Sequence, residues 1–242
     1  MFELRSISAR LILTISLTVA AACAILGTFS IWQQRALTQL ALEQQLKLQY
    51  DSVVAAIDYE GRTALAVSSV VATLPAVADA VTKGDRDALG SLLGGAMTTL
   101  KAQGIPLVNV WTPPATNFYR VHEPKIFGDD TSKRRITVVE ANGSGKQIAG
   151  VEQSRLSLGI FGMTPIMRDG KVLATADVGA AFGKEFVDRA KQRFGIDLAV
   201  HWLDGGDFKK LSSTFGEEVV ATQDELRSVF NGTPLQDRKS VV

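Results

Sequence analysis

Residues 117–135 read NFYRVHEPKIFGDDTSKRR. In an extended chain Phe118, Arg120 and His122 share one face, and Tyr119, Val121 and Glu123 share the other. Arg presents a rigid fork matched to a carboxylate, and His adds a third donor, so Arg120 and His122 form a compact anion-binding pair. Lys133, Arg134 and Arg135 add positive charge on a segment able to fold back. A purely structural arrangement is also compatible with the string. Arg120 would then pair with Glu123, Asp129 or Asp130, and the basic triplet would be a solvated surface.

Other strings carry less chemistry. Asn142-Gly-Ser-Gly-Lys-Gln147 resembles the end of a phosphate-binding loop, but Glu140 replaces the upstream Gly and Gln147 stands where a magnesium-binding hydroxyl is needed. Asn142-Gly-Ser and Asn231-Gly-Thr match glycosylation sequons that are frequent by chance. Asp129-Asp130 lacks further carboxylates at loop-ligand spacing. His122 and His201 are the two histidines and Cys23 is the one cysteine, which excludes a disulfide framework and a multi-cysteine metal site. The expectation is a non-enzymatic protein without a cofactor or metal.

These residues need a scaffold, and the periodicity supplies one. From Leu46, apolar side chains recur as Leu46, Tyr50, Val53, Ile57, Ala64, Val67, Val71 and Leu74, with Glu60 breaking the series. Steps of four and three predict a long helix buried along one face, against its own domain or a partner helix. Pro75 restarts a helix, Gly84-Asp85 reads as a stop and an N-cap, and Ala88 to Leu100 carry the next helical stripe, ended by Gly104. Strands are predicted over Ile105–Trp111, Asn117–His122, and Leu158–Met167 with Lys171–Val178, the last two joined at Arg168-Asp169-Gly170. Lys184–Phe194 reads as a helix closed by Gly195, and Ile196–Leu203 as a strand ended by Asp204-Gly-Gly-Asp207. The order implies an α+β domain on an antiparallel sheet flanked by helices.

Upstream, Leu11 to Trp32 is a run of 22 residues without a charge. As a helix it is about 33 Å long, enough for a hydrocarbon core of about 30 Å. Arg5 and Arg10 precede it, so residues 1–10 are expected to be cytoplasmic and everything after Trp32 outside. Ala20-Ala21-Ala22-Cys23 faintly resembles a lipoprotein box, but it lacks the leading Leu and the apolar run continues past it, which favours a retained helix. The whole chain carries a net charge of +1, from 26 basic and 25 acidic side chains. Residues 1–32 hold two Arg and one Glu, so 24 of each sign follow Trp32. That balance argues against nucleic acid as a partner.

The run FYRVHEPKIFGDDTSKRR, then GVE at 150–152, then GIFGMTPIMRDGKVLATADVG from Gly159 to Gly179 resembles the single-Cache, PAS-like sensor domains of bacterial methyl-accepting chemotaxis receptors. The likeness covers roughly residues 55 to 230. It implies a transmembrane helix (11–32), a long membrane-proximal helix (33–74) and a periplasmic sensor domain (75–242) at the bacterial inner membrane. The ligand is expected against the sheet, between the strands at 118–122 and 159–166. Arg120 is then the carboxylate clamp, His122 the second donor, and Arg135 a basic neighbour. Tyr119, Phe161, Met163 and Thr164 supply walls, although Tyr119 needs a bulge to turn inward. The basic side chains point to a small anionic metabolite, namely acetate, another short monocarboxylate or a small dicarboxylate; the Lys133-Arg-Arg135 cluster favours the higher charge, whereas the resemblance favours short acids and implies a homodimer through the long helix. Output would pass to a chemotaxis kinase and adaptor, or, with the same input domain, to a histidine kinase or cyclase; a membrane-tethered periplasmic enzyme is the remaining alternative. Asp237 to Val242 reads like a strand just beginning, so a longer receptor is expected.

Overall fold

The structure is a computed structural model that describes residues 7–155 and 157–233. Its described residues divide into two units, a helical stretch up to Gln49 and a folded domain from Tyr50 onward. Helix α1 (Ile7–Thr73) runs through both. In the first unit its side chains are exposed throughout the apolar run, including Leu17, Leu26, Phe29 and Trp32. It is the one helix among the described residues long and apolar enough to cross a membrane, with a mean hydropathy of 2.2 over its most apolar window.

In the domain, the predicted face of α1 is largely the face that packs. Ala64 and Val71 are buried and Val53, Ile57, Val67 and Leu74 partly so. Tyr50 departs from the series and is exposed, while Glu60 is held by Arg189 at 3.0 Å. Helix α2 (Pro75–Lys83) starts at its proline and ends on Gly84 in the left-handed region, φ 69°. Asp85 caps α3 (Arg86–Leu93) by accepting from Ala88 N. The stripe expected to continue to Leu100 is interrupted: Gly94–Ala96 tighten into a 3-10 turn before α4 (Met97–Ala102). Two consecutive glycines lower helix propensity enough to break it there.

The main sheet has five strands, β1 (Leu107–Thr112), β2 (Thr116–Arg120), β3 (Ile148–Gln153), β4 (Leu158–Arg168) and β5 (Lys171–Ala181), in the order β2-β1-β5-β4-β3 with every pair antiparallel. The strand expected to reach His122 ends at Arg120, and His122 lies in the turn beyond it. The β4–β5 turn has Asp169 and Gly170 both at positive φ, 51° and 75°, which matches the twist of the flanking strands. One face of the sheet packs on α1, α2 and α3 through Val108, Val110, Ile166, Ala176 and Val178. The other packs on α5 (Ile136–Ser144) through Trp111, Val138, Ala141, Phe161 and Met163. The architecture is α+β and PAS-like, as the sequence predicts.

Helix α6 (Lys184–Phe194), closed by Gly195 at φ 67°, packs on α1 through Phe186 and Val187. The strand expected after it is β6 (Ala199–Asp204), which pairs with β7 (Asp207–Ser213) in a separate two-stranded sheet rather than joining the main one. Helix α7 (Gln223–Phe230) follows, with a complete capping box between Thr222 and Glu225. The strand expected from Asp237 lies outside the described residues.

Candidate ligand-binding site

Pairing in the main sheet lines up Arg120, Asn109, Asp177, Met163 and Ile148 as a cross-strand row. The row is centred on Asp177, which is fully buried. One of its oxygens accepts from Asn109 Nδ2 at 3.0 Å and from Trp111 Nε1 at 2.8 Å; the other accepts from Arg135 Nη2 at 3.1 Å. Charge-assisted bonds from three sides are what allow a carboxylate to remain in the core. Arg135, at the start of α5, also donates Nε to Glu152 of β3 at 3.0 Å. Glu152 is in turn fixed by the backbone and hydroxyl of Thr137 at 2.7 and 2.6 Å.

The Arg135 guanidinium carbon stands over the Phe161 ring, 4.0 Å from its centroid, and 5.4 Å from that of Trp111, a cation–π contact that suits a guanidinium. Phe161 can lie down because Gly159 and Gly179 flank it: a side chain at either would collide with its ring. Burial works against the Arg135 charge, and Asp177 and Glu152 together more than reverse that, holding it protonated.

Beside this floor opens a cleft of about 580 Å³, lined by β1, β2 and the end of β5, by α4, and by Ser154, Arg155 and Ser157 between β3 and β4. The size falls within the range of small-molecule sites. Of the residues expected from sequence, Arg120, His122, Arg135 and Phe161 line it together. Tyr119, Met163 and Thr164 do not. Tyr119 is buried on the helix side of the sheet, its hydroxyl close over Gly90; the β1–β2 pairing does shift beside it, at Phe118, but that irregularity turns Phe118 rather than Tyr119, and both pack toward the helices. Met163 shares the face of Phe161 but is covered by α5, within 3.6 Å of the Thr137 hydroxyl. Thr164 points to the opposite face, where it bonds Ser68 of α1 at 2.8 Å.

Within the cleft the expected roles shift. The Arg120 fork is already engaged by Asp129, at 2.8 Å to each oxygen, and by the Ile126 carbonyl at 2.8 Å. Asp129 was one of three carboxylates the sequence offered it. That bond holds the Asp129 carboxyl below its usual range. His122 shares one proton with the Val108 carbonyl, Nδ1 at 3.3 Å. A carbonyl can only accept, so Nδ1 is the donor and Nε2 of the neutral ring is left as an acceptor. Burial lowers the His122 pKa, although the Val108 carbonyl and Glu123 oppose it.

The residue with unspent capacity is Arg134. Its Nε is buried without a hydrogen-bond partner, and among the described residues no carboxylate lies within 4.0 Å of it. Burial lowers its pKa first, and Arg135, Arg120 and Arg155 push in the same direction. Lys101 of α4 also lines the cleft and likewise has no carboxylate within that distance. At the mouth Arg155 Nη2 bonds both oxygens of Glu123, at 2.7 and 2.8 Å. Arg134 was legible as part of the basic triplet. Nothing in the spacing separates its free guanidinium from the committed one of Arg135.

The chain belongs to the dCache_3 family, described as the double sensory domain of two-component sensor kinase, whose model matches residues 39–241. None of the curated proteins matches the sequence. Among solved structures it resembles the sensor domain of the Vibrio cholerae histidine kinase DctB (11% identity, TM-score 0.53, covering 79% of this chain and 75% of that one). It also resembles the sensory domain of the Campylobacter jejuni chemoreceptor Tlp3 with isoleucine bound (11%, 0.51, 81% and 80%). A third is a domain of a putative sensory box/GGDEF family protein from Vibrio parahaemolyticus (12%, 0.46, 62% and 64%), so the chain spans under two thirds of that one. At such identities the likeness establishes the fold, and the fold is that of a Cache sensor domain.

Proposed function

We propose that the chain is the extracytoplasmic sensor part of a bacterial inner-membrane receptor, and that it binds a small carboxylate in the cleft beneath α4. The observation that carries the reading is Arg134, which lines the cleft with a buried, unpartnered Nε beside cations that are engaged or solvated. A buried donor without a partner carries a desolvation penalty of about 1–3 kcal/mol, which an incoming carboxylate relieves. Arg120, Arg135, His122 and Phe161 shape the pocket, with Arg120 and Arg135 held rigid by their own carboxylates.

In this reading residues 11–32 cross the membrane with Arg5 and Arg10 inside, and α1 pairs with its counterpart in a homodimer. The ligand acts by population shift: it favours one arrangement of sheet and helix over another, and a coupling of about 1–3 kcal/mol suffices. Output through a histidine kinase is a second reading beside chemotaxis, favoured by the family's description as a sensor-kinase domain. In neither does the domain turn over its ligand.

Calorimetry of the full chain in detergent against a panel of short carboxylates tests the site. Binding in the micromolar to millimolar range is expected, with Arg134→Gln weakening it at least tenfold. Unchanged affinity in that variant would overturn the assignment.

A further inference from the structure

We propose that the cleft selects a monocarboxylate with an apolar body of several carbons, and discriminates against both the amino acid and the dicarboxylate built on the same skeleton. The inference rests on the carboxylate reading above and narrows its ligand class.

Charge sets the first limit. Around the cleft Lys101, Arg120, Arg134, Arg135 and Arg155 stand against Glu123, Asp129, Glu152 and Asp177, an excess of one positive charge. One carboxylate neutralises it. A second would enter with nothing left to pair, at the desolvation cost of an uncompensated ion.

An ammonium fares no better, because every carboxylate around the cleft is already paired and the acceptor left over, His122 Nε2, is uncharged. Asp177 is buried and held by Asn109, Trp111 and Arg135, and Glu152 is filled by Arg135 and Thr137. Asp129 is held by both nitrogens of the Arg120 fork, and Glu123 by Arg155. Thr98, Asn109, His122, Ser154 and Ser157 also line the cleft, and the rest of its wall is apolar: Met97, Pro106, Leu107, Trp111, Val121, Phe161 and Ala181. A methyl group leaves most of that wall uncovered, whereas each further methylene buried against it is worth about fourfold in affinity.

Four ligands separate these terms: acetate, pentanoate, norvaline and glutarate, titrated by calorimetry into the full chain in detergent. Pentanoate is expected to bind at least tenfold more tightly than each of the other three. Norvaline and glutarate differ from it by one ammonium and one carboxylate respectively. A preference of less than tenfold over any of them overturns the selectivity while leaving the carboxylate site standing. If none of the four binds, the carboxylate reading itself falls and takes the inference with it.

Glu123→Gln tests the charge count directly. The amide oxygen still accepts from Arg155, so the mouth keeps a hydrogen bond while the cleft gains a second positive excess. Glutarate should then gain at least fivefold relative to pentanoate. An unchanged ratio would show that the charge count does not set the choice.

Discussion

Three donors converge on the Asp177 carboxylate from β1 and from the start of α5, and none has another carboxylate to turn to except Arg135 through Glu152. Removing a partner from a buried ionic network leaves the others desolvated and unpaired, which costs about 3–5 kcal/mol. Asp177→Ala is therefore expected to lower stability by about that amount, read from the shift in denaturant midpoint. Glu123→Gln, at the half-exposed mouth, should change it by under about 1 kcal/mol. At this scale the sequence is only half informative. The alternation that puts Arg120 toward the cleft is local, and its partner Asp129 lies nine residues away. Arg135 finds Glu152 and Asp177 at 17 and 42 residues' distance. Strand register decides those pairings, and no spacing in the string announces it.

Among the elements, β4 meets α1 with almost no intervening side chain. A Cβ at Gly162 would lie within 2.5 Å of Ala64 C and closer still to Leu65 N, both backbone atoms of the helix. Neither can move aside without displacing the helix itself, so Gly162→Ala should destabilise the domain by about 1–3 kcal/mol or more. Gly61, in the same helix, is the counterpart: a Cβ there meets Ala149 Cβ at 3.6 Å and Ile160 Cγ2 at 3.8 Å, ordinary contacts. Gly61→Ala should instead stabilise by up to about 1 kcal/mol, because it replaces a poor helix former. Thermal unfolding of the two variants side by side gives opposite signs if the contact is as described. Elements with punctuation were legible in the sequence: α2 from Pro75 and Gly84, α6 from Gly195, and the β4–β5 hairpin from Asp169-Gly170. Helix α5 was not, since Ile136-Thr-Val-Val139 favours strand and Arg135 offers no side-chain cap. Strand β3 alternates regularly between half-buried and exposed positions, but Ile148, Gly150 and Glu152 take the first and Ala149, Val151 and Gln153 the second, so no apolar alternation marks it. Helix α7 carries a sign in the sequence, the Thr222 and Glu225 capping box.

For the whole molecule, the proposed topology places the apolar part of α1 in lipid and the domain outside the cell membrane. Cys23 is the one thiol and sits within the apolar run, which makes it a built-in reporter. In intact cells an impermeant maleimide should fail to label Cys23. A second thiol introduced as Lys146→Cys, at an exposed site beyond α5, should be labelled readily. Labelling of Cys23 from outside, or protection of the second thiol, would contradict that topology. Composition alone gave no hint of this division, because the balanced charge of the domain and the empty charge of the helix average to an ordinary protein.

Strand β4 carries Phe161 on its cleft side and Gly162 on its helix side. The two surfaces are separated by a single peptide unit, so there is no cushion of side chains between them to absorb a displacement. Stiff contacts of this kind pass information both ways, since a coupling free energy is reciprocal. A restraint that holds the helix in one position then tunes how tightly the cleft grips its ligand. The grip is therefore not a fixed property of the pocket: it reports on the mechanical state of the helix as much as the helix reports on the pocket.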